Sequence, residues 1–479
     1  MTAQSRAICR ILLFTITALI TIGAQAQMFT PAPLPVSPAE MTNKPLTVDE
    51  AVTFALQHNP AVTLAGQNVA VAQYQLQSAR AGVKPSLGLG IDSTYYPFVT
   101  PESFQGIPIT FTFTSTAEAV VNQPLFPFSR LKAPVQLARA NVGINLETLT
   151  RTQQQVAFQT RQAYYQLLIA KNLQNVGRFA VQVAQGQLTL AQDTYNAGTA
   201  PRLDVLQAQS TLENANVSLE GAQNNVDVSR ATLATQLGLP AGTPIDIVAP
   251  TTAPVAPKDV DPLVKRALAA RPDLAQLLYR RHQLQATVVL TRVEELPTVN
   301  LQAAYAQAIT GSSPLAPTGL SLGLNIAFTA FDWGKARADV KAVNTQLAEV
   351  DTSERQLKLS TTLDVRSAWL TLQNATAQLA SAEKQFDAAN EALRIAEVRY
   401  RAGIGIYLEL QQAYLSATQA LTSFSQATYQ AQTAAAQLEY AVGAPVTLTE
   451  APIPALTLTV PPLLPTAPVA PAIPAAPAK

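Results

Sequence analysis

Few residues of this chain have the type and spacing that catalysis or metal binding requires. His58 and His282 are the only two histidines, and the sequence does not visibly arrange around them the partners of a catalytic triad or a zinc site. Ser381 and Lys384 stand at an enzyme-like spacing, but they lie within a heptad pattern, and we expect them on the surface of a helix. The sequence also contains no phosphate-binding glycine loop. It therefore predicts no catalytic residue, no metal site and no cofactor.

The N-terminus is typical of an export signal. Arg6 and Arg10 form a basic start, the apolar run 11–22 has the length of a signal core, and a small-x-small cleavage site ends at Ala26. The apolar run is too short to span ~30 Å of hydrocarbon as a helix. This pattern predicts a signal peptide over residues 1–26 and export of the mature chain.

The mature chain is expected to be nearly neutral. Loss of the signal leaves 30 basic against 31 acidic residues, so the formal charge changes from +1 to −1. The single cysteine, Cys9, lies in the signal, which leaves the mature chain without a disulfide, a thiolate metal site or a lipid-attachment cysteine. A near-neutral chain has no global basic surface for nucleic acid, so nucleic acid is not an expected partner.

The chain contains an internal repeat, in which one structural unit occurs twice. The first repeat is predicted over residues 46–240 and the second over 259–445, with a linker at 241–258. Residues 27–45 form a proline-rich extension, and 446–479 form a tail rich in proline and alanine that we expect to be extended and disordered. The clearest internal matches, at an offset of 205 residues, are Tyr195–Gly198 with Tyr400–Gly403 and Gly238–Pro240 with Gly443–Pro445; upstream, at an offset of 212, Pro60 matches Pro272.

Each repeat has the same order of elements, namely a helix, two strands, a very long helix, a tight turn and a shorter helix. In the first repeat we expect helices from Leu46 to about Gly82, from about Ser129 to Tyr195 and from about Arg202 to Leu237. At ~1.5 Å per residue the long helix measures roughly 100 Å and the shorter ones roughly 55 Å each. These lengths indicate that two short helices stack end to end beside one long helix.

Small and apolar residues recur at every seventh position of the long helices. This period predicts left-handed supercoiling, and small side chains allow close helix approach, although any coiled coil would show the same pattern. The chain is 48% hydrophobic and only 13% charged, which indicates helices that bury more than one face, as in an assembly of several chains. The positions are Val135, Val142, Leu149, Val156, Ala163, Ala170, Gly177, Ala184 and Ala191, and in the second repeat Ala368, Ala375, Ala382, Ala389 and Ala396.

Four segments alternate between apolar and polar residues and are predicted to be strands, at about 86–96, 109–121, 298–308 and 319–330. Each has about the length of a tilted membrane-spanning strand. The alternation alone would also fit one face of a soluble sandwich. Aromatic residues near the strand ends favour a membrane because they fit interfacial girdles; they are Tyr95, Tyr96, Phe98, Phe126, Phe128, Phe331 and Trp333.

Four strands cannot close a barrel, and exposed sheet edges are not viable in lipid. Other copies of the chain must therefore complete the barrel, and three copies would give twelve strands. A structural periplasmic coiled-coil spacer is an alternative, but it does not account for alternating strands with aromatic ends. A solute-uptake porin is another, but porins build the whole barrel from one chain and lack helices of ~100 Å.

Short motifs that occur in this order in both halves of the chain carry a family resemblance. From Leu46 to Pro445, nearly its whole length, the chain resembles the TolC family of outer-membrane efflux proteins. The motifs are Leu46-Thr-Val-Asp-Glu-Ala51, Gln123-Pro-Leu-Phe126, Ala163-Tyr-Tyr165 and Tyr195-Asn-Ala-Gly198 followed by Leu203-Asp-Val-Leu206. The second repeat shows these motifs less closely.

The resemblance implies a mainly α fold with β strands and a homotrimer. A twelve-stranded barrel would lie in outer-membrane lipid, and a long α-helical barrel would continue it across the periplasm. The partners implied are a periplasmic adaptor and an inner-membrane pump. The chain would then be a passive exit channel, foremost for small molecules such as drugs, with type I protein secretion as the alternative.

The resemblance also assigns roles to the two turns between helices, which would form the periplasmic tip that contacts the adaptor. Their glycines suit a helix C-terminus in the left-handed conformation. The residues are Gly198, Thr199 and Pro201 in the first turn and Gly403, Ile404 and Gly405 in the second.

In the family, polar links between neighbouring hairpins hold the tip closed. Carried over residue by residue, the first link joins Tyr400 to Asp204, whereas the second falls on Gly405 and Leu203 and is absent.

Two positions of the family's lumen carboxylates also carry over. The first falls on Glu409, whereas the second falls on the neutral Gln412. Three copies of Glu409 around a narrow axis are expected to favour cations.

Overall fold

The computed structural model describes residues 45–95, 102–104, 107–109, 113–198, 201–310, 319–401, 404, 407–445 and 448–453. The predicted signal peptide, nearly all of the N-terminal extension and the tail beyond residue 453 lie outside the described residues.

The helices of the first repeat are α1 (Val48–His58), α2 (Pro60–Ala81), α3 (Phe128–Asn196) and α4 (Arg202–Gln236). The long helix and the one after it agree with prediction to within a residue or so. The prediction of one unbroken helix from Leu46 to Gly82 is wrong. Asn59 has an extended backbone, with φ of −66° and ψ of 127°, because Pro60 disfavours a helical residue before it and cannot donate an i→i−4 bond.

The second repeat has the same design. Its helices are α5 (Asp261–Ala270), α6 (Pro272–Val293), α7 (Lys335–Arg401) and α8 (Tyr407–Val442). Arg271 precedes a proline and is extended, as Asn59 is, with φ of −68° and ψ of 125°. The repeat therefore reproduces the helix break as well as the helices.

Asn59 joins two helices end to end. Its Oδ1 accepts a hydrogen bond of 2.8 Å from the N–H of Ala61, which caps the start of α2, and its Nδ2 donates one of 2.7 Å to the carbonyl of Gln236 at the end of α4. Gly238 follows with φ of +80°, and a Cβ on it would lie 2.5 Å from the carbonyl oxygen of His58. The prediction that the short helices stack end to end is confirmed for this repeat.

In the second repeat a buried arginine makes the corresponding junction. Arg271 donates to Asp273 in the first turn of α6 (2.6 Å), to Asp364 on α7 (3.0 Å) and to the carbonyl of Ala441 at the end of α8 (3.4 Å). Burial is the largest single influence on its pKa and lowers it, but the bonds to the two carboxylates outweigh burial and the pKa of Arg271 is raised. The charge is therefore retained and paired at this junction.

Helix α3 packs against helices of both repeats, namely α1, α2, α4, α6 and α8. Arg161 of α3 forms an ion pair with Glu439 of α8, and Gly143 is covered so closely by Tyr279 of α6 that a Cβ would lie 2.5 Å from its ring. Of the predicted heptad positions in α3, Val156, Ala163, Ala170 and Ala184 are buried and the others half-buried. The predicted close helix approach is confirmed at these contacts.

The sheet has four antiparallel strands in the order β1-β4-β6-β7. Its members are β1 (Ser86–Tyr95), β4 (Phe113–Phe126), β6 (Thr298–Thr310) and β7 (Gly319–Ala327). Along the chain, a separate small hairpin of β2 (Glu102–Phe104) and β3 (Ile107–Ile109) connects β1 to β4. The second strand was predicted at 109–121 and these bounds are wrong: Ile109 belongs to the hairpin, and β4 continues through the Gln123–Phe126 motif. Residues 110–112, like Tyr96 and Phe98, lie outside the described residues.

The linker and the start of the tail pair with each other, which the sequence did not indicate. Strand β5 (Thr252–Val255) runs antiparallel to β8 (Thr449–Pro452), and Leu46 forms a β-bridge with Ile247. The expected disorder of the tail is therefore wrong for these four residues. A long-range partner decides this, because a proline-rich strand of four residues has no local signal.

Two aromatic residues at equivalent repeat positions fix these connecting segments. The hydroxyl of Tyr164 on α3 lies 2.7 Å from the carbonyl of Leu46 and 2.6 Å from that of Val248, and burial raises the pKa of this phenol. At the equivalent position of α7, Trp369 donates from Nε1 to the carbonyl of Pro257 over 2.8 Å. The long helices thus hold the linker at the level of the helix junctions.

We expect Gly238→Ala to destabilise the protein by more than about 1 kcal/mol, since alanine disfavours the left-handed conformation and its Cβ would meet the backbone of His58. Thermal unfolding in detergent, followed by far-UV circular dichroism, should show a lower Tm. Gly242→Ala is the matched control, because nothing lies within 4 Å of a Cβ there. Equal Tm values for the two variants would contradict this account of the junction.

Candidate functional site

The four-stranded sheet has one continuously apolar face. Directly paired residues of neighbouring strands project from the same side, so the strand register assigns each side chain to a face. The apolar side chains on β1 and β7 are mostly more than half exposed, for example Leu89 at 67% and Leu322 at 76%. Two rows cross all four strands, Leu87–Val121–Ala303–Leu322 and Leu89–Ala119–Tyr305–Leu320.

The opposite face of the sheet carries small and polar residues. Glu118 pairs with Gly90 on one side and Ala306 on the other, and Ala306 pairs with Gly319, so this carboxylate is surrounded by small side chains. Asn122 pairs with Gln302 in another row. An amphipathic sheet of this kind separates an apolar surface from a polar one.

At the far end of the helices, the first turn begins with a left-handed glycine. The N–H of Ala197 bonds back to the carbonyl of Asp193, and Gly198 has φ of +74°. After Thr199, which lies outside the described residues, Pro201 has φ of −74° and ψ of 154° and precedes α4. Asp204 is exposed in the first turn of α4, as Leu203 is.

The second turn is described at Ile404, which is 72% exposed and donates its N–H to the carbonyl of Arg399 over 3.1 Å. Gly403 and Gly405 lie outside the described residues. Tyr400 is in the last turn of α7, but its side chain is not among those described. Gln412 is exposed on α8.

Glu409 has a charged neighbour that the sequence analysis missed. Its Oε2 lies 3.7 Å from Nη2 of Arg399, and both side chains are about half exposed. The two residues are equidistant from Ile404 on the two arms of the hairpin. That symmetry was the available signal, because residues equidistant from a tight turn face each other.

The predicted gate residues therefore lie on the ends of both hairpins, with Asp204 in the first and Tyr400, Glu409 and Gln412 in the second. Glu409 meets Arg399 within its own hairpin. A contact between Tyr400 and Asp204 was predicted between neighbouring copies, so it stays a prediction for this single chain.

The two histidines and Ser381, which have side chains capable of catalysis, make ordinary packing and helix contacts. His58 stacks on Phe54 with ring centroids 4.0 Å apart, and its Nδ1 lies 3.0 Å from the carbonyl of Phe54. His282 packs edge-on against Tyr279. Ser381 accepts a hydrogen bond from Gln385 one turn along α7. Within the ranges that the structure describes, no three His, Cys, Asp or Glu residues cluster closely enough to hold a metal ion.

None of the helices in the described part of the chain combines enough length with enough apolar character to cross a membrane.

Comparison with known proteins gives a consistent result. A family model described as "Outer membrane efflux protein" matches residues 52–239 and 263–444. Protein CyaE of Bordetella pertussis is 24% identical over 380 residues, covering 77% of this chain and 78% of CyaE. The pyoverdine export outer membrane protein OpmQ of Pseudomonas aeruginosa is 25% identical over 252 residues, about half of each chain.

The fold is also that of a solved structure, the CmeC outer membrane channel of Campylobacter jejuni. The TM-score is 0.70 at 15% identity, covering 83% of this chain and 85% of CmeC. The two matched segments lie within the two predicted repeats, and most of the chain follows this fold. The chain therefore belongs to the outer membrane efflux protein family, and it is an outer-membrane channel protein that extends into the periplasm rather than an enzyme.

Proposed function

We propose that three copies of this chain form one continuous duct, and that the duct is the exit channel of an export machine with a periplasmic adaptor and an inner-membrane pump. The observation that carries the proposal is the amphipathic sheet, in which β1 and β7 each pair on one side only within the described part of the chain. An apolar face suits lipid, but unpaired backbone groups at a sheet edge do not.

Pairing β7 of one copy with β1 of the next satisfies both edges. Because the four strands alternate in direction, such a pair is antiparallel, as its neighbours are. Three copies give twelve strands, with the apolar face toward lipid and the face that carries Glu118 toward the lumen.

The helices support the same assembly. Large apolar side chains remain exposed along α4 and α7, including Val217 and Val228 at 69% and 66% and Leu359 and Leu363 at 74% and 68%. Contact with neighbouring copies would bury them, in keeping with the low share of charged residues.

The trimer can be tested with paired cysteines, because the only native cysteine, Cys9, lies in the predicted signal. We expect the Leu89→Cys/Leu322→Cys variant, treated with a flexible bis-maleimide, to give dimer and trimer bands on denaturing gels, since these edge strands would be neighbours in the closed barrel. Each single variant is the control and should give no trimer. A double variant that remains monomeric would contradict the pairing.

The proposed partners follow from the lack of an energy source in the chain, which has no phosphate-binding glycine loop. The energy for export must come from another protein, and the exposed turns at the far end of the helices would face it. Ile404 is the most exposed large apolar residue of the described part of these turns.

A photo-crosslinking amino acid at Ile404 should capture a periplasmic adaptor and its pump in cells, identified by mass spectrometry. The control position is Leu359, which lies in mid-helix and should capture a neighbouring copy rather than the adaptor. A capture confined to peptidoglycan-associated or scaffold proteins would overturn the proposed exit channel in favour of a spacer.

The substrate class that we propose is small molecules. OpmQ is an exporter of pyoverdine, and this chain resembles it at 25% identity over about half its length. Identifying the pump captured from Ile404, together with the cargo of that pump, would separate this proposal from protein secretion.

We place the closing device of the duct at the tip. Tyr400 of one hairpin and Asp204 of the neighbouring one would hold it shut. In that case the Tyr400→Phe/Asp204→Ala variant raises the resting conductance of a planar bilayer.

Glu409 would line the lumen just inside, while Gln412, the next lumen position, adds no charge. The pair with Arg399 partly offsets the negative charge of Glu409.

Removing the charge of Glu409 and removing the charge of Arg399 should therefore change the ion selectivity of the channel in opposite directions. We expect Glu409→Gln to weaken cation preference and Arg399→Gln to strengthen it, because the second change removes the compensating positive charge. The measurement is the reversal potential of single channels under a salt gradient. Gln412→Asn is the control and should leave the reversal potential unchanged; a shift of the same sign in both charge variants would contradict the proposed lumen pair.

A further inference from the structure

A sequence pattern repeats where the strands enter the two long helices. The order is aromatic-x-aromatic-x-basic-x-basic, and every member matches its counterpart at an offset of 205 residues. We call these eight residues the aromatic–basic collar. They are Phe126, Phe128, Arg130 and Lys132 in the first repeat and Phe331, Trp333, Lys335 and Arg337 in the second.

Both halves of the collar lie at the same end of the sheet. Phe126, the last residue of β4, pairs with Val299 of β6, and Val299 pairs with Ile326 near the end of β7. The collar thus begins where the apolar face of the sheet ends, and it is continuous with that face.

The aromatic members point away from the protein. Phe128 is 68% exposed, Phe331 69% and Trp333 90%. Phe331 and Trp333 pack edge to face with centroids 4.7 Å apart. Packing within the chain does not explain why these aromatic side chains are two-thirds or more exposed.

The backbone holds Trp333 in this position. Its φ of +57° is the only positive value of a non-glycine residue among those described, and such a conformation persists only where its surroundings enforce it. Asp332 accepts bonds from the N–H groups of Ala336 (2.8 Å) and Gly334 (2.9 Å). These bonds hold the pKa of Asp332 below its ordinary value, and they close the turn that projects the indole outward.

The basic members are exposed as well. Lys335 is partly neutralised by Asp339 at 3.2 Å and Glu294 at 3.9 Å. Arg130, Lys132 and Arg337 form no ion pair within the described ranges. A basic residue at the start of a helix is not stabilised by the helix dipole, so helix stability does not explain their placement.

We propose that the aromatic–basic collar binds the anionic headgroups of phospholipids in the periplasmic leaflet of the outer membrane. The inference rests on the proposed function, which places the sheet in lipid and the helices in the periplasm. Indole and phenyl rings favour the depth of the headgroups, and arginine and lysine just beyond them reach lipid phosphates. Because the pattern occurs twice per chain, each trimer would carry six such contacts.

Tryptophan fluorescence tests this proposal, since the chain has two tryptophans. Trp333 would contact lipid, whereas Trp369 lies ~50 Å along α7 from the collar and serves as an internal reference. The protein is reconstituted into vesicles with brominated phosphatidylcholine or brominated phosphatidylglycerol, which quench nearby tryptophans. We expect quenching that Trp333→Phe abolishes, with phosphatidylglycerol favoured by about fivefold or more.

The basic residues are tested by two triple variants of equal charge. Arg130→Gln/Lys132→Gln/Arg337→Gln should lose the preference for phosphatidylglycerol while both lipids still quench. Arg178→Gln/Arg355→Gln/Lys384→Gln, all exposed and ~30 Å or more from the collar along the long helices, should retain it.

The outcomes separate this inference from the proposed function. Equal quenching by the two lipids in the native protein, or equal loss of preference in both triple variants, would overturn the collar but leave the sheet in the membrane. Absence of quenching by either lipid would overturn the collar and the placement of the sheet together.

Discussion

The architecture depends on how the ends of stacked helices are satisfied. A helix leaves several N–H and C=O groups without partners at its termini, and this fold brings a C-terminus against an N-terminus in each repeat. Pro60 and Pro272 force the break, and the residue before each proline then serves both ends. Asn59 does so with one amide, capping α2 and bonding to the end of α4. Arg271 bonds through its guanidinium to the end of α8 and to two carboxylates, one of them Asp273 in the first turn of α6.

These junctions also determine how the two repeats pack. Because the short helices are joined end to end, one long helix can follow them over nearly its whole length, and small residues along its seam permit close contact. Gly143 under Tyr279 and the ion pair of Arg161 with Glu439 then attach α3 to the second repeat. Tyr164 and Trp369 attach the connecting segments at the same level. The result is a closely packed set of helices with a sheet at one end and two turns at the other.

The two ends differ in their chemistry. At the sheet, apolar and polar residues are segregated by strand alternation, and an aromatic–basic collar follows where the strands stop. At the turns, the charges of Arg399 and Glu409 stand close together on opposite arms of one hairpin. A channel of this kind would meet lipid at one end and protein partners at the other, and each surface is made of residues suited to that contact.

The sequence alone was enough to predict the repeat, the long helices and the four strands of the sheet, because these follow from periodicity and from the positions of proline and glycine. It also located Asp204, Tyr400, Glu409 and Gln412 on the hairpin ends. The helix break at Asn59 is encoded locally by Pro60, although the predicted helix ran past it. The bounds of β4, the pairing of β5 with β8 and the partner of Glu409 emerged only in the folded chain. Each of these three features depends on a contact with a residue distant along the chain or across a turn, and local pattern does not encode which groups meet there.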